Sequence, residues 1–207
     1  MDRRVIMLVL KNKERKEEKN NEVAYLDFSR YFLNDMIKIA DSRFGENYIK
    51  EKEILKNVET ENEMCKLAVN KINGRLLGYC LFYDEDINTA EKTFKIPKEE
   101  LIQVSGSSDN ICHLKSLAIS KDVEKSGIGQ NLFGSCLEKA ENLDFSAGWC
   151  PAWKRGNYVP AARILNLYGF KPYKTVSNLW FDDKEYKCIE CKGPCVCECD
   201  VYFKKLK

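Results

Sequence analysis

The chain has 207 residues, of which 44% are hydrophobic and 32% are charged, and its formal net charge is only +2. This size and composition predict a soluble globular protein with one domain of ordinary size and some extension. The near-balance of 34 basic and 32 acidic residues gives no electrostatic reason to expect a nucleic-acid or membrane-surface partner. No targeting signal is evident, which favours the cytoplasm.

The N-terminal part predicts a strand, a charged loop and a helix. Val5–Leu10 is apolar after two arginines, but six residues are too few for a signal core or a membrane span, so we expect a strand. Lys11–Glu22 is almost entirely charged or amidic, which is typical of a solvated loop. Tyr31–Tyr48 carries its apolar residues at helical spacing and predicts a helix.

A hairpin is predicted next. The apolar runs Met64–Val69 and Leu76–Phe82 are joined through Asn73–Gly74, a dipeptide that suits the positive φ of tight hairpin turns. The following stretch, Asp84–Asn110, is polar, and a short helix is expected after Pro97. We interpret this stretch as an insertion between strands.

The C-terminal half alternates strands and helices. Strands are predicted at Ile111–Ile119, Phe145–Trp149 and Lys174–Phe181, and we expect the third of these to be the last strand of the main sheet. Helices are predicted at Gly127–Leu143 and Pro160–Leu167. This order predicts an α/β (α+β layered) domain in which a mixed, mostly antiparallel sheet is flanked by helices.

Two glycines stand where a strand gives way to a helix. Residues 116–129 read S-L-A-I-S-K-D-V-E-K-S-G-I-G, so the strand ends at Ile119, a polar turn follows, and Gly127 and Gly129 flank Ile128 at the helix start. Such a unit aims backbone N–H groups and the helix dipole at a phosphate, and glycine leaves room for a diphosphate to approach. The alternative is an ordinary β-to-α connection.

Two segments of the chain resemble the GNAT superfamily of N-acetyltransferases. Ile111–Gly129 is similar to the acyl-coenzyme A loop of that superfamily, an L-x-V-type strand end followed by Q/R-x-x-G-x-G/A. Ala161–Phe170, which reads A-A-R-I-L-N-L-Y-G-F, is similar to its A-x-x-L-Y-x-x-x-G-F helix. The resemblance covers about residues 23–182 and implies a GNAT-like fold that uses acetyl-CoA as co-substrate. The alternative is an unrelated α/β domain with a glycine turn.

The resemblance implies roles for the residues of the donor site. The backbone of Leu117, Ala118 and Ile119 would pair with the pantetheine arm of acetyl-CoA, as if adding a short strand. The backbone amides that would hold the pyrophosphate are those of Glu124, Lys125, Ser126, Gly127, Ile128 and Gly129. Asn157, or a neighbour near the second helix, would contact the acyl end. Glu124 departs from the family pattern, which has Gln or Arg there, and Lys121 and Lys125 could offset its charge.

In GNAT enzymes an amine attacks the thioester directly, so the protein must remove a proton, polarise a carbonyl and release a thiolate. His113, the only histidine, lies in the strand where some members carry a glutamate base, and it is our candidate base, directly or through a water. Strand alternation would place His113, Lys115 and Leu117 on one face. The alternative is a surface or core histidine without a catalytic role.

The usual general acid of the superfamily, a tyrosine four residues before the G-F pair, is replaced by Leu165. Tyr168 is our candidate acid and Tyr158 is an alternative, although Tyr168 also suits a core position. Some members of the superfamily have no such tyrosine and release the thiolate to solvent, which is a further alternative. The segment W-C-P-A-W-K-R-G, residues 149–156, ends a strand and could wall an acceptor pocket or pack in the core. Within this segment we expect Trp153, Lys154 and Arg155 to be exposed and to contact the acceptor.

Five of the ten cysteines crowd into Cys188-x-x-Cys191-x-x-x-Cys195-x-Cys197-x-Cys199. Without a secretion signal, this spacing favours metal binding over disulfides. Thiolates of Cys188, Cys191, Cys195 and Cys197 would form a closed structural Zn²⁺ site, with Cys199 as a spare or alternate ligand. An iron–sulfur cluster or redox thiols are the alternatives. We therefore predict a metal-binding tail, residues 184–207, after an acyltransferase domain of residues 1–183.

These observations favour an N-acetyltransferase that moves an acetyl group from acetyl-CoA to a primary amine of a small molecule, a lysine or a protein N-terminus. The first alternative, favoured by Glu124 and Leu165, is a catalytically impaired GNAT-like binding or regulatory protein whose zinc tail docks on a protein or nucleic acid. A zinc redox sensor with Cys199 as an unpaired thiol is the second. We expect a monomer or homodimer.

Overall fold

A seven-stranded sheet lies at the centre of the computed structural model, which describes residues 22–60, 62–106 and 110–207. The strands in this part of the chain are β1 (Val23–Asp27), β2 (Gly45–Glu46), β3 (Met64–Asn70), β4 (Leu76–Asp86), β5 (Asn110–Ile119), β6 (Ala147–Trp153), β7 (Lys171–Ser177), β8 (Lys187–Cys188) and β9 (Glu198–Lys205). The main sheet has the order β1-β3-β4-β5-β6-β9-β7, and β2 pairs with β8. Within the main sheet only β5 and β6 run parallel, so the predicted mixed, mostly antiparallel sheet is confirmed.

Helices cover both faces of this sheet. They are α1 (Leu33–Phe44), α2 (Glu51–Val58), α3 (Ile87–Phe94), α4 (Lys98–Ser105), α5 (Ile128–Asn142) and α6 (Ala162–Leu167). Helices α1 and α2 pack with β3 and β4 in one core, and α5 packs against the opposite face in another. Helices α3 and α4 share a third core with β6 and β9. The layered architecture predicted from the sequence is therefore present.

The amphipathic pattern of α5 predicts its buried face correctly. The residues that this helix buries are Ile128, Leu132, Phe133, Cys136, Leu137 and Ala140. They recur every three or four positions, so they form a single apolar stripe against the sheet. Among the residues that the structure describes, no helix is both long enough and apolar enough to cross a membrane.

The hairpin is confirmed, and its connection is longer than a two-residue turn. Strands β3 and β4 pair antiparallel across residues 71–75, where Gly74 has a φ of 69°. The predicted strand Val5–Leu10 and nearly all of the predicted loop Lys11–Glu22 lie outside the described residues.

Two helices, α2 and α3, were not predicted from the sequence pattern. The predicted helix Tyr31–Tyr48 ends early, because the chain turns at Gly45 with a φ of 114°, and α2 follows. The supposed insertion Asp84–Asn110 contains the end of β4 and both α3 and α4, of which only α4, after Pro97, was predicted. Asp86 caps α3 by accepting the backbone N–H groups of its first turn.

The expectation that Lys174–Phe181 is the last strand of the main sheet is wrong. The strand in that region is β7, and β9 follows it in sequence but lies between β6 and β7, antiparallel to both. The alternating pattern E-C-D-V-Y-F buries Cys199 and Val201 in the core. This strand was not predicted, because Cys199 was grouped with the other cysteines of the segment. Residues 184–207, set apart as a tail in the sequence, thus end in a strand of the main sheet.

Candidate active site

Two central strands separate in the middle of the sheet. Strands β5 and β6 pair only at Cys112–Gly148 and His113–Trp149. Beyond His113, β5 stays with β4 as far as Ile119, whereas β6 continues with β9 as far as Trp153. The described residues 114–119 therefore have no strand partner on the β6 side. An edge of this kind offers backbone N–H and C=O groups to an extended ligand. Leu117, Ala118 and Ile119 lie on this edge.

The loop after β5 leads into the N-terminus of α5. A 3-10 turn at Lys121–Val123 is closed by the Ser126 hydroxyl, whose Oγ donates to the Val123 carbonyl at 2.7 Å. Lys125 and Gly127 both have positive φ, 60° and 92°, and Gly127 is the N-cap of the 15-residue helix. The first N–H groups of a helix lack intrahelical acceptors and carry the positive end of the dipole, so they suit an anion.

Glu124 has an ion-pair partner that the sequence did not reveal. Its carboxylate contacts the guanidinium of Arg43, which lies in the last turn of α1. The predicted offsetting residues, Lys121 and Lys125, are instead exposed side chains of the loop. The acidic side chain is thus held toward α1 with a cation beside it, and it does not stand alone in the loop.

His113 lies in a buried carboxylate environment. The ring is only 2% exposed, and its Nδ1 is 3.0 Å from Oε2 of Glu85, although the two atoms are not aligned for a hydrogen bond. Thr93 donates its hydroxyl to the other oxygen of Glu85 at 2.8 Å. Burial raises the pKa of Glu85, but the charge of a protonated His113 and these polar contacts outweigh burial and lower it overall.

A cavity of about 160 Å³ opens where β5 and β6 separate. Its lining includes Tyr48, Thr93, His113, Lys115, Pro151, Trp180 and Asp183. Lys115 pairs with Glu53 of α2 at 3.1 Å, and the Tyr48 hydroxyl donates to the Lys115 carbonyl at 3.1 Å. The cavity therefore combines a histidine, paired charges and aromatic walls in a concave site of the kind that binds small ligands.

A β-bulge changes which side chains share a face of β5. Ser116 pairs with Leu81 and Leu114 pairs with Phe82, so Lys115 is an extra residue in the strand. The bulge shifts the alternation by one position. His113 and Lys115 therefore face the side of α2 and α3, while Leu117 packs on the α5 side, and the expectation of one shared face for all three is wrong at Leu117.

Tyr168 is not brought to this cavity. Its hydroxyl donates to the Gln130 carbonyl at 2.9 Å, its ring packs on Phe133, and burial raises its pKa. A Cβ on Gly134 would lie 2.5 Å from that hydroxyl, so the site of Tyr168 is closely packed against α5. The structure leaves Tyr168 as a packing residue with a bonded hydroxyl, on the opposite side of the sheet from His113.

The structure also places Asn157, predicted at the acyl end, and most of segment 149–156, predicted at the acceptor, outside this cavity. Asn157 is exposed in the turn that joins Arg155 to Tyr158. Trp149 lies in the core and donates its indole N–H to Ser105 at 3.0 Å. Of the segment 149–156, only Pro151 lines the cavity.

Four of the five C-terminal cysteines form one cluster. The sulfur atoms of Cys188, Cys191, Cys195 and Cys197 all lie within 4.8 Å of one another, whereas Cys199 belongs to the core around β9. The Cys188–Cys197 and Cys191–Cys197 distances are 3.8 and 3.5 Å. A tetrahedron with Zn–S bonds of about 2.3 Å has sulfur atoms ~3.8 Å apart, so the donor set fits a closed metal site.

The cluster is attached to the C-terminal end of α1. Gly45 pairs with Cys188, and the Ile189 N–H and the Tyr186 hydroxyl both donate to the Phe44 carbonyl. A Cβ on Gly45 would lie 2.0 Å from the Lys187 carbonyl oxygen, so a residue without a side chain is required there. The fold thus brings the cysteine segment close to the cavity wall that Tyr48 forms.

Comparisons with known proteins show the fold. No protein-family profile and no curated protein sequence matches the chain. Among solved structures, Arabidopsis thaliana Naa50 in complex with the bisubstrate analogue CoA-Ac-MVNAL has a TM-score of 0.60 at 17% identity, over 89% of this chain and 99% of that one. Arylalkylamine N-acetyltransferase 2 of Aedes aegypti has a TM-score of 0.57 at 12% identity, over 89% and 99%.

A GCN5-related N-acetyltransferase from Kribbella flavida has a TM-score of 0.57 at 12% identity, over 90% of this chain and 99% of that one. The fold of this chain is therefore the GNAT fold, as the resemblance of its two motifs implied.

The sequence reasoning missed several residues of the site. Glu85, Tyr48 and Trp180 received no role, although β4 alternation already places Glu85 on the same face as Tyr83. Glu85 was hidden in the polar run D-E-D, which reads as the start of a loop. No local signal marks Tyr48 or Trp180, because both reach the cavity through contacts between distant segments.

Proposed function

We propose that the protein is an N-acetyltransferase that moves the acetyl group of acetyl-CoA to a primary amine by direct attack on the thioester. The observation that carries the proposal is the continuous path from the loop at Gly127, along the free edge of β5, to the cavity that contains His113. Acetyl-CoA carries a diphosphate, an extended pantetheine arm and a reacting acetyl group in this order. The loop, the free edge of β5 and the cavity suit these three groups in turn.

The donor roles follow from backbone geometry. The amides of Glu124, Lys125, Ser126, Gly127, Ile128 and Gly129 are proposed to hold the pyrophosphate. The edge at Leu117, Ala118 and Ile119 is proposed to pair with the pantetheine arm. A position for the acyl group near the separation of β5 and β6 would bring the thioester carbonyl to the cavity that His113 lines.

His113 is proposed to accept the proton of the attacking amine, directly or through a water. Glu85 would stabilise the imidazolium that forms, because its carboxylate lies at Nδ1. The new C–N bond replaces the C–S bond, the amine proton goes to His113, and the thiolate leaves and takes a proton from solvent. Tyr168 has no part in this scheme, since its hydroxyl is bonded to the Gln130 carbonyl.

The acceptor class is open to a direct test. The structural relatives include an arylalkylamine acetyltransferase and a complex with a peptide-based bisubstrate analogue. Purified protein should be incubated with acetyl-CoA and a panel of tyramine, agmatine, a lysine-containing peptide and a peptide with a free N-terminal methionine, and released thiol should be measured. We expect thiol release with at least one amine.

A rise in Tm with acetyl-CoA but no thiol release with any amine would support the alternative, a GNAT-like binding protein. If acetyl-CoA does not raise the Tm and no amine releases thiol, the proposal is contradicted altogether.

A structural Zn²⁺ bound by Cys188, Cys191, Cys195 and Cys197 is the second part of the proposal. The all-thiolate donor set and the short sulfur separations support zinc, and four protein ligands leave no position for catalysis. Metal analysis of protein purified without added zinc should return about one zinc per chain. A value well below one equivalent would contradict this assignment.

A further inference from the structure

The cysteine cluster and the cavity share aromatic side chains. We call Tyr186–Cys197 the knuckle. Tyr48 and Trp180 line the cavity, and both also pack against the small core that Tyr186, Cys188 and Cys195 form. The Tyr48 ring lies 5.5 Å from the Tyr186 ring and 6.4 Å from the Trp180 ring, between centroids. One side of this cavity wall therefore rests on the knuckle.

The wall segment, residues 178–183, is attached to the knuckle at both ends. The Asn178 N–H donates to the carbonyl of Cys197, a member of the cluster, at 3.2 Å. At the other end, Oδ1 of Asp183 accepts the N–H groups of Glu185 and Tyr186. Lys50 adds an ion pair to the same oxygen at 3.1 Å. The wall is also held by Leu179 in the core of α3 and α4 and by Lys95, which contacts the Asn178 carbonyl and Asp182. The knuckle therefore fixes both ends of the wall segment and the Tyr48 side of Trp180, while its middle rests on that core.

Apart from its hydrogen bonds to the Phe44 carbonyl and two exposed ion pairs, the knuckle has few contacts that order it. Its core contains three buried residues, and its only strand pairing is the two-residue β2–β8 ladder. A segment with so small a core does not offset the conformational entropy of its own ordering. A metal ion that joins four of its side chains supplies the missing constraint, as in other small metal-stabilised segments.

The donor loop is supported separately. The core beneath α5, which includes Leu117 and Ile119 of the β5 edge, contains no residue of 178–197. Ala118 lies in the core of α1 and α2, against which Tyr48 packs, and that core likewise contains no residue of 178–197. The Arg43–Glu124 ion pair links the α1 end to the loop, and both side chains are partly exposed, at 30% and 40%, so the pair contributes little. A change in the knuckle is therefore transmitted to the wall more strongly than to the loop.

We infer that metal binding by the knuckle sets the affinity for the amine acceptor by holding Trp180 and Tyr48 in the cavity wall, while acetyl-CoA binding is independent of the metal. This inference rests on the proposed acetyltransferase function. It makes the metal site a determinant of acceptor recognition in addition to a fold stabiliser.

The test compares zinc-loaded protein with protein treated with EDTA, and Cys191→Ser with Cys199→Ala. Cys191 is a half-exposed member of the cluster, so serine there is compatible with folding, and Cys199 is the nearby cysteine outside it. Four quantities are measured for each protein. They are the metal content, the rate of trypsin cleavage at Lys184, Lys187 and Lys192, the Kd of acetyl-CoA by calorimetry, and the KM for the best amine of the panel.

For the EDTA-treated protein and Cys191→Ser, we expect faster trypsin cleavage in the knuckle and a KM for the amine about tenfold higher or more. The Kd of acetyl-CoA should stay the same, and Cys199→Ala should behave as wild type. Turnover with an unchanged acceptor KM after metal loss would overturn the inference, as would an equal loss of acetyl-CoA affinity. An absence of turnover in zinc-loaded protein would instead mark failure of the proposed function, and the inference would fall with it.

Discussion

The role of Gly127 in acetyl-CoA binding can be tested with Gly74, another glycine of positive φ, as the control position. It has a φ of 92° and a ψ of −8°, and a Cβ built there has no other atom within 4 Å. Gly74, in the β3–β4 connection, has a φ of 69° and the same free space. Alanine at either position therefore introduces backbone strain without a clash, at a cost of about 1–2 kcal/mol.

Each alanine variant should lower the Tm by about 2–8 °C for a chain of this size. Gly127→Ala should lie at the upper end of this range, because 92° is beyond the left-handed well of about 50–70° that other residues occupy. The two variants thus match in the kind of strain they introduce and differ in where it lies.

Only Gly127→Ala should weaken acetyl-CoA binding. Its Cβ would hold the diphosphate away from the amides at the α5 N-terminus, and loss of one charge-assisted hydrogen bond, worth about 1.5–3 kcal/mol, raises Kd by about tenfold or more. Calorimetric titration of both variants with acetyl-CoA measures this difference. Equal Kd values for Gly127→Ala, Gly74→Ala and wild type would refute the placement of the pyrophosphate at this loop.

His113→Ala should lower kcat/KM for the amine by about 10²–10⁴ between pH 6 and 9, and an unchanged value in steady-state assays would remove His113 from the mechanism. Because the pKa of Glu85 is lowered in the folded state, its ionised form stabilises the protein above the usual glutamate range of about 4.3, and this contribution is lost as the pH falls through the folded pKa. Glu85→Gln should therefore lower the Tm at pH 7, with the difference from wild type shrinking toward about pH 3 in thermal denaturation; a difference independent of pH would argue against the ion pair. Gly45→Ala should disrupt the β2–β8 pairing, because its Cβ would overlap the Lys187 carbonyl oxygen, and it should speed trypsin cleavage in the knuckle without changing acetyl-CoA Kd; wild-type cleavage rates would show that the contact is dispensable.

The strand, loop and helix that we propose as the donor site could be predicted because their signals are local. A strand, two glycines and a helix follow one another within residues 116–129, so periodicity and turn chemistry locate the loop. The cysteine spacing likewise identified the four members of the cluster, since ligands on one short segment must lie close together. Both predictions rest on residues that are neighbours in the chain.

The cavity that we propose for the acceptor could not be predicted because it depends on pairing between distant segments. The bulge at Lys115 exists only in the register between β4 and β5, and it decides which side chains reach the cavity. Insertion of β9 between β6 and β7 brings the knuckle beside α1, and with it Trp180 beside Tyr48. Arg43 and Glu124 are likewise paired by the packing of α1 near the donor loop.

The central claim is that an acetyl group passes from acetyl-CoA to an amine nitrogen in the cavity of His113. Acetyl-CoA labelled with an isotope in its acetyl group, incubated with the amine panel and analysed by mass spectrometry, tests it most directly. We predict that the label appears on the nitrogen of one amine and that His113→Ala greatly slows its appearance. Label found only in unreacted acetyl-CoA or in free acetate would contradict the claim.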